Sequence, residues 1–276
     1  MAKDLTGLAA WVTGGGTGIG KALALELAGR GAAVAISGRR RDRLDEVAAL
    51  ISAGGGQVLV LPLDVTDEAA TVAAVKAVVA AFGKLDIAIA NAGFGASGRL
   101  VSVPVETWRK QMDVNVIGVV CTAKAAIPEL EKTGGRLGLV ASVMGFLTMV
   151  GQGPYAASKF AVRAIGLTLS QELHGTGVSC TTVHPGFVES EIAQVDARGE
   201  HDPSRKDPRP AKLMWSADKA AHSIVGAMMA RKREHVFTGH GKVGAFLGKH
   251  FPGIIHFAMT RKGVRKKAQA AAKSQG

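Results

Sequence analysis

Thr13-Gly14-Gly15-Gly16-Thr17-Gly18-Ile19-Gly20 joins a short apolar run, Leu8–Thr13, to a helical pattern from Ile19 to Ala28. Glycines alone mark only a tight turn, because any turn that needs a positive φ collects them. Between a strand and a helix at the head of an α/β unit they carry more weight. Working outward, Val34–Ser37, Val58–Leu63, Leu85–Ala90, Arg136–Ala141 and Val178–Val183 are further short apolar runs. Helical patterns separate them: Arg40–Ile51, 67–82, Val105–Glu131 (out of register near Asn115) and Tyr155–His174. Most of the strand runs lack polar–apolar alternation, which is what strands covered on both faces require. Right-handed crossovers between them predict a doubly wound, mostly parallel sheet.

The chain has 276 residues, 47% hydrophobic and 20% charged. That is enough to bury a full domain core and too apolar for a disordered chain. A formal net charge of +12 suggests a nucleic-acid partner until it is located. Residues 1–230 carry 23 Lys/Arg against 21 Asp/Glu, whereas residues 231–276 carry 11 against the single Glu234. The excess belongs to the end of the chain rather than to a face or a recognition helix, so nucleic-acid binding is not expected. Cys121 and Cys180 make neither a disulfide framework nor a zinc site. A reducing compartment and no metal are expected. Met1-Ala2-Lys3-Asp4 runs into the first strand without an apolar leader, and no apolar run of about 18 residues offers a membrane span. A cytoplasmic location follows as the expectation.

A loop without side chains lets the backbone approach a pyrophosphate at a helix N-terminus. This assigns Gly14, Gly16, Thr17, Gly18, Ile19 and Gly20 to dinucleotide binding, with Gly20 also allowing the helix to pack closely on the strand. No Lys-Ser/Thr pair follows, so a nucleoside-triphosphate loop does not fit. The second strand ends in Ser37-Gly38-Arg39-Arg40-Arg41, with no acid before Asp42. A carboxylate there would hold a ribose 2′-hydroxyl and repel a 2′-phosphate, which guanidinium groups grip instead. NADP(H) is therefore the expected cofactor, held by Arg39 first and Arg40 second, the alternative being that they cap the sheet rim. Asp64, with Val65 beside it, closes the third strand and can accept from an adenine amino group or cap a helix. Asn91-Ala92-Gly93 closes the fourth, with small residues that would lie against a ribose.

Tyr155 is the only tyrosine, and Lys159 lies one helical turn beyond it on the same face. On an exposed helix such a pair is ordinary surface; beside a cofactor loop it is a proton-transfer pair. A phenol has a pKa near 10, and a neighbouring ammonium is expected to lower it toward a working base. Ser142, just past the fifth strand, can hold the same substrate oxygen. Asn115 is a polar residue in mid-helix, where it makes sense as an anchor for water or backbone near the lysine.

These residues resemble the classical short-chain dehydrogenase/reductase family, in its NADP(H)-preferring form, over roughly residues 5–240. The resemblance rests on the glycine string, Asp64, Asn91-Ala92-Gly93, Asn115, Ser142, Tyr155-Ala156-Ala157-Ser158-Lys159 and Pro185-Gly186. It implies a single Rossmann-type domain with a seven-stranded sheet. It also implies that Tyr155 is the acid/base, Lys159 a ribose ligand that assists it, Ser142 the substrate-orienting hydroxyl and Asn115 the support of a relay water. Pro185, Gly186, Val188 and Ser190 would hold the nicotinamide carboxamide, Ser190 standing where the family often has threonine. A homodimer or homotetramer is the implied assembly.

Met144, Phe146, Leu147 and Met149 after Ser142, and Phe187 and Val188 after Pro185-Gly186, point to a hydrophobic carbonyl or alcohol as substrate, or else belong to core and interface. Interconversion of such a ketone or aldehyde with its alcohol is the expected reaction. A 3-oxoacyl reductase of lipid synthesis and a dinucleotide-sensing protein without turnover are the alternatives. His184 reads as structural. Residues 1–240 form the expected catalytic domain, with a lid at about 190–215 whose Arg198, Arg205, Lys206 and Arg209 could greet an acidic carrier. Residues 241–276 are expected to be a basic extension. Its stretch 243–273 mixes apolar and cationic residues, which suits peripheral membrane contact as well as packing.

Overall fold

The computed structural model describes residues 4–194, 202, 204–205, 207 and 209–261. Its strands are β1 (Ala9–Thr13), β2 (Ala33–Gly38), β3 (Val58–Pro62), β4 (Ile87–Ala90), β5 (Arg136–Val140), β6 (Ser179–His184) and β7 (Glu234–Val236). They form one sheet in the order β3-β2-β1-β4-β5-β6-β7, and every neighbouring pair is parallel. Chain direction across the sheet reverses between β1 and β4, and the crevice beyond their carboxyl ends is where open α/β sheets take ligands.

Helices cover both faces: α1 (Gly18–Gly29), α2 (Arg41–Ala53), α3 (Glu68–Phe82), α4 (Val105–Met112), α5 (Gly118–Thr133), α6 (Gly153–Glu172) and α7 (Ala217–Met229). Two further helices, α8 (Gly239–His250) and α9 (Pro252–Thr260), follow the last strand. One core layer joins Leu23, Leu27, Ile36, Ile224 and Met228; the other joins Trp11, Val78, Leu130, Leu139 and Val162. Each such side chain contributes about 1.5–3 kcal/mol when fully buried. Trp11 also spends its polar edge, since its indole N–H donates to Ser37 Oγ at 2.8 Å. The result is a single Rossmann-type α/β domain with the parallel seven-stranded sheet expected from the sequence.

Two details differ from the sequence reading. The seventh strand, Glu-His-Val, has no apolar run to announce it and forms by pairing with β6. Between α4 and α5 the chain makes one π-helical turn, Asp113–Ile117, which is the register break seen near Asn115. Such turns gather at functional sites because they re-aim side chains. Among the described residues no helix is long and apolar enough to cross a membrane, and no cluster of His, Cys, Asp or Glu could hold a metal ion. Cys121 and Cys180 are unpaired and buried, and burial raises both thiol pKa values, Cys180 to about 12.

Candidate active site

The glycine loop is shaped by close approaches. Gly14 has φ +66°, and a Cβ there would come within 2.8 Å of the Ala92 backbone. A Cβ on Gly20 would collide with the Gly14 carbonyl oxygen, so α1 can sit against the loop only because that position is glycine. Asn91 fastens the loop to β4: its Nδ2 donates to Thr13 O at 2.9 Å and to Gly14 O at 3.2 Å. Thr13 Oγ1 in turn accepts from the Asn91 and Ala92 amides. Thr17 caps α1 without a side-chain hydrogen bond, and no acid stands in the first turn. The positive end of the helix is thus left to an external anion, which is what a pyrophosphate needs. These features fit a dinucleotide.

One crevice runs from this loop along the sheet rim. Gly14, Gly16, Thr17, Gly18, Ile19, Gly20, Arg39, Arg40, Asp64, Val65, Asn91, Ala92, Gly93, Ser142, Tyr155, Lys159, Pro185, Gly186, Val188 and Ser190 all line it. Asn115 lies behind the wall, fully buried. At the β2 end Arg43 joins Arg39 and Arg40; its Cβ stands close to Gly16. Arg40 donates to Glu191 Oε2 at 3.0 Å, and Glu191 also lines the crevice. Asp64 Oδ1 accepts from the amide and hydroxyl of Thr66, a local turn, while Asp67 rather than Asp64 caps α3.

At the other end Lys159 is buried, and its Nζ donates to Val140 O at 2.9 Å. Burial lowers its pKa from 10.5 to about 8. The ammonium lies 5.7 Å from the centroid of the Tyr155 ring. The expected acidification of the phenol is not found: burial raises the Tyr155 pKa, opposed by a hydrogen bond with Ser142 and by the charge of Arg209. Withdrawal from water outweighs these partners because it penalises the phenolate directly. Ser142 Oγ also accepts from the Met144 amide at 3.2 Å.

Asn115, on the π turn, anchors backbone. Its Oδ1 accepts from the Phe94 amide at 3.0 Å, and its Nδ2 donates to Phe94 O at 2.9 Å and Ser158 Oγ at 3.1 Å. A Cβ on Gly93 would meet Asn115 Oδ1 at 3.0 Å and Lys159 Nζ at 3.8 Å, so the amide and the ammonium flank one residue.

The apolar residues expected around the substrate are mostly elsewhere. Of the six, Val188 lines the crevice. Phe146 lies edge-on to His184 and under the Arg163 guanidinium, Phe187 stacks on His240, and Met149 faces an outer hollow with Trp108 and Phe160. After Ser142 the chain makes a short helical turn, Val143–Gly145; Met144 and Phe146 are buried, and Leu147 lies against Gly244 and Gly248 of α8. Phe94 and Ile192, absent from the sequence reading, supply apolar wall instead, Ile192 beside Gly95 and so close to Tyr155. Arg209, expected in a lid that could meet an acidic carrier, lines the crevice wall. It donates to Val188 O at 2.9 Å and Ser190 O at 3.0 Å and pairs with Asp207, binding the loop after Pro185-Gly186. Arg198 and Lys206 lie outside the described residues. His184 is structural: its ring bonds Ser142 O and Glu234, each at 3.1 Å.

A family model described as short chain dehydrogenase matches residues 8–201. An uncharacterized oxidoreductase of Staphylococcus aureus strain N315 is 38% identical over 230 residues, which span 82% of this chain and 98% of that protein. An uncharacterized oxidoreductase of Myxococcus xanthus is 39% identical over 184 residues, 66% of this chain and 73% of its own. Among solved structures, a short chain dehydrogenase/reductase from Burkholderia phymatum in complex with NAD superposes with a TM-score of 0.80 at 26% identity, covering 89% of this chain and 94% of that one. An alcohol dehydrogenase from Thermococcus sibiricus, complexed with 5-hydroxy-NADP, gives 0.73 at 28% identity, with 84% and 96% covered. The matched span contains the glycine loop and the tyrosine–lysine helix alike, and the chain belongs to the short-chain dehydrogenase family of oxidoreductases.

Proposed function

We propose that this oxidoreductase uses NADP(H) to interconvert a hydrophobic ketone or aldehyde and its alcohol, with Tyr155 as the acid/base. The observation that carries the proposal is that Ser142, Tyr155 and Lys159 line the same crevice as the glycine loop. When bound, the nicotinamide supplies or accepts the hydride. Tyr155 gives the proton to the carbonyl oxygen, or takes it from the alcohol, and a neutral phenol suits the first role at neutral pH. Ser142 holds that oxygen by hydrogen bond. Lys159, whose pKa of about 8 lies close to working pH, binds the ribose and resupplies the proton. Asn115 fixes the backbone between them and supports a relay water. Pro185, Gly186, Val188 and Ser190 hold the carboxamide, while Asp64 and Val65 flank the adenine.

The two structural neighbours carry NAD in one case and an NADP derivative in the other, so the phosphate preference rests on this chain's own side chains. Arg39, Arg40 and Arg43 gather where a 2′-phosphate would lie, and no acid replaces them at the end of β2. Phe94, Val188 and Ile192 support an apolar substrate. Assembly into a dimer or tetramer draws support from the exposed Leu100, Val101, Val105 and Phe160. Replacing Tyr155 by Phe tests the proposal: dinucleotide binding measured by fluorescence is retained, and NADPH-dependent turnover of a panel of hydrophobic ketones falls about 10²–10⁴-fold. Turnover within a few-fold of wild type would remove the phenol from the reaction.

A further inference from the structure

Beyond β7 the described residues form the two helices α8 and α9, with opposite characters on their two sides. The inner side of α8 is glycine: a Cβ on Gly241 would press on Val143 at 2.9 Å, one on Gly244 would stand 3.0 Å from Leu147, and one on Gly248 would strike the Phe146 carbonyl oxygen. His240 locks the start of the helix, accepting from the Phe187 amide at 2.9 Å and stacking on its ring. The outer side is apolar and open. Val243 is 60% exposed, Phe246 57%, Phe251 48%, Ile254 53% and Phe257 63%. The rings of Phe246 and Phe251 lie 5.9 Å apart, so the patch runs across the turn from one helix to the other. Contiguous exposed apolar surface of this kind marks an interaction site.

Charge identifies the occupant. Lys242 and Lys249 border the patch on α8, and the Arg261 guanidinium sits 5.1 Å from the centroid of the Phe257 ring. After Glu234 the sequence contains no acidic residue, while Lys262, Arg265, Lys266, Lys267 and Lys273 continue the positive run. A second copy of the chain would bring the same cations against these. An anionic bilayer surface offers opposite charge together with an apolar layer a few ångströms below it. The helices have 12 and 9 residues, which suits lying in that interface and not crossing it.

We propose that α8 and α9 dock the protein on anionic membranes, with Phe246, Phe251, Ile254 and Phe257 inserted among the acyl chains and Lys242, Lys249 and Arg261 on the headgroups. The proposal is independent of the reaction assigned above. Sedimentation of the full chain with extruded vesicles tests it. Vesicles of mixed phosphatidylglycerol and phosphatidylcholine bind the protein at least tenfold better than pure phosphatidylcholine, and raising salt from 0.05 to 0.5 M weakens binding, about as the Debye length shortens. The double variant Phe246→Glu/Phe257→Glu loses at least tenfold in binding with its thermal melt and solution mass unchanged; Phe246→Ser/Phe257→Ser gives the same loss if the charges disturb folding. Lys242→Glu/Lys249→Glu reduces the preference for the anionic lipid. Three results overturn the proposal: no partitioning of the wild type to the anionic vesicles, equal partitioning of the phenylalanine variants, or a change of oligomeric state in those variants, which would assign the patch to a second copy.

Discussion

Lys159 is an unusual resident of a protein interior, and its removal should stabilise the fold while disabling it. The amine is buried with one hydrogen bond, to Val140 O, and its pKa falls from 10.5 to about 8. Each tenfold loss of proton affinity corresponds to about 1.4 kcal/mol, so holding the charge in the folded state costs about 3 kcal/mol. The sign follows from proton counts. Below pH 8 folded and unfolded chains both carry the proton, and the cost is present in full. Between pH 8 and 10.5 the unfolded chain binds more protons than the folded one, so this contribution to stability rises with pH and the cost fades. Lys159→Met keeps the volume and discards the charge along with a hydrogen bond worth about 1 kcal/mol. The variant should therefore be more stable than wild type by about 2 kcal/mol at pH 7. Between pH 7 and pH 10 about 2.5 kcal/mol of the cost is lost, so the difference should fall to about zero. Urea unfolding at both pH values, without dinucleotide, measures it, and turnover of the variant should collapse in parallel. A variant less stable at pH 7, or a gap that ignores pH, would refute the claim that burial sets the state of this lysine.

Glu234 works in the opposite sense. Hydrogen bonding to His184, helped by Arg163, lowers its pKa from 4.5 to about 2, so its stabilisation is complete above pH 4.5 and lost as pH falls toward 2. Allowing for its partial exposure, Glu234→Gln should cost about 1–2 kcal/mol at pH 7 and flatten the acid limb of a denaturation series from pH 7 to 3; an unaltered limb would contradict this. Gly20→Ala forces a methyl onto the Gly14 carbonyl and should cost about 3 kcal/mol in chemical denaturation, with dinucleotide affinity falling as the loop shifts. Arg39→Asp combined with Arg43→Ala should move the ratio of NADP to NAD affinity toward NAD by at least tenfold; titration of both cofactors decides, and an unchanged ratio would transfer the phosphate contact to Arg40.

The rim was readable because a parallel sheet writes its strands as apolar runs and ends each at the crevice, which aligns Thr13, Asp64, Asn91, Ser142 and Pro185 from the sequence alone. Tyr155 and Lys159 were readable because a helix fixes their spacing. What was not legible depended on contacts between distant segments. Strand β7 consists of Glu234, His235 and Val236, and only pairing with β6 makes it a strand. Arg43 reaches the crevice by tertiary packing, with no local pattern to flag it, and Arg209, legible only as a lid cation, is placed on the wall by its bonds to the Val188 and Ser190 carbonyls. The ionisation of Tyr155 runs against the sequence expectation because proximity of a lysine can be read from spacing, whereas the extent of water exclusion cannot. Sequence adjacency to Ser142 points Met144, Phe146 and Leu147 toward a substrate, yet none of the three lines the crevice, Met144 and Phe146 being buried and Leu147 lying against α8.

The seating of α8 on three glycines has a consequence for where the enzyme stops. The segment Val143–Leu147 rests against that helix, and His240 grips the stretch behind Pro185-Gly186. What the charge pattern presents as an appendage is therefore a retaining wall for the loops that follow Ser142 and Pro185-Gly186, and any truncation or fusion placed ahead of Gly239 would be felt at the serine before it was felt at the terminus.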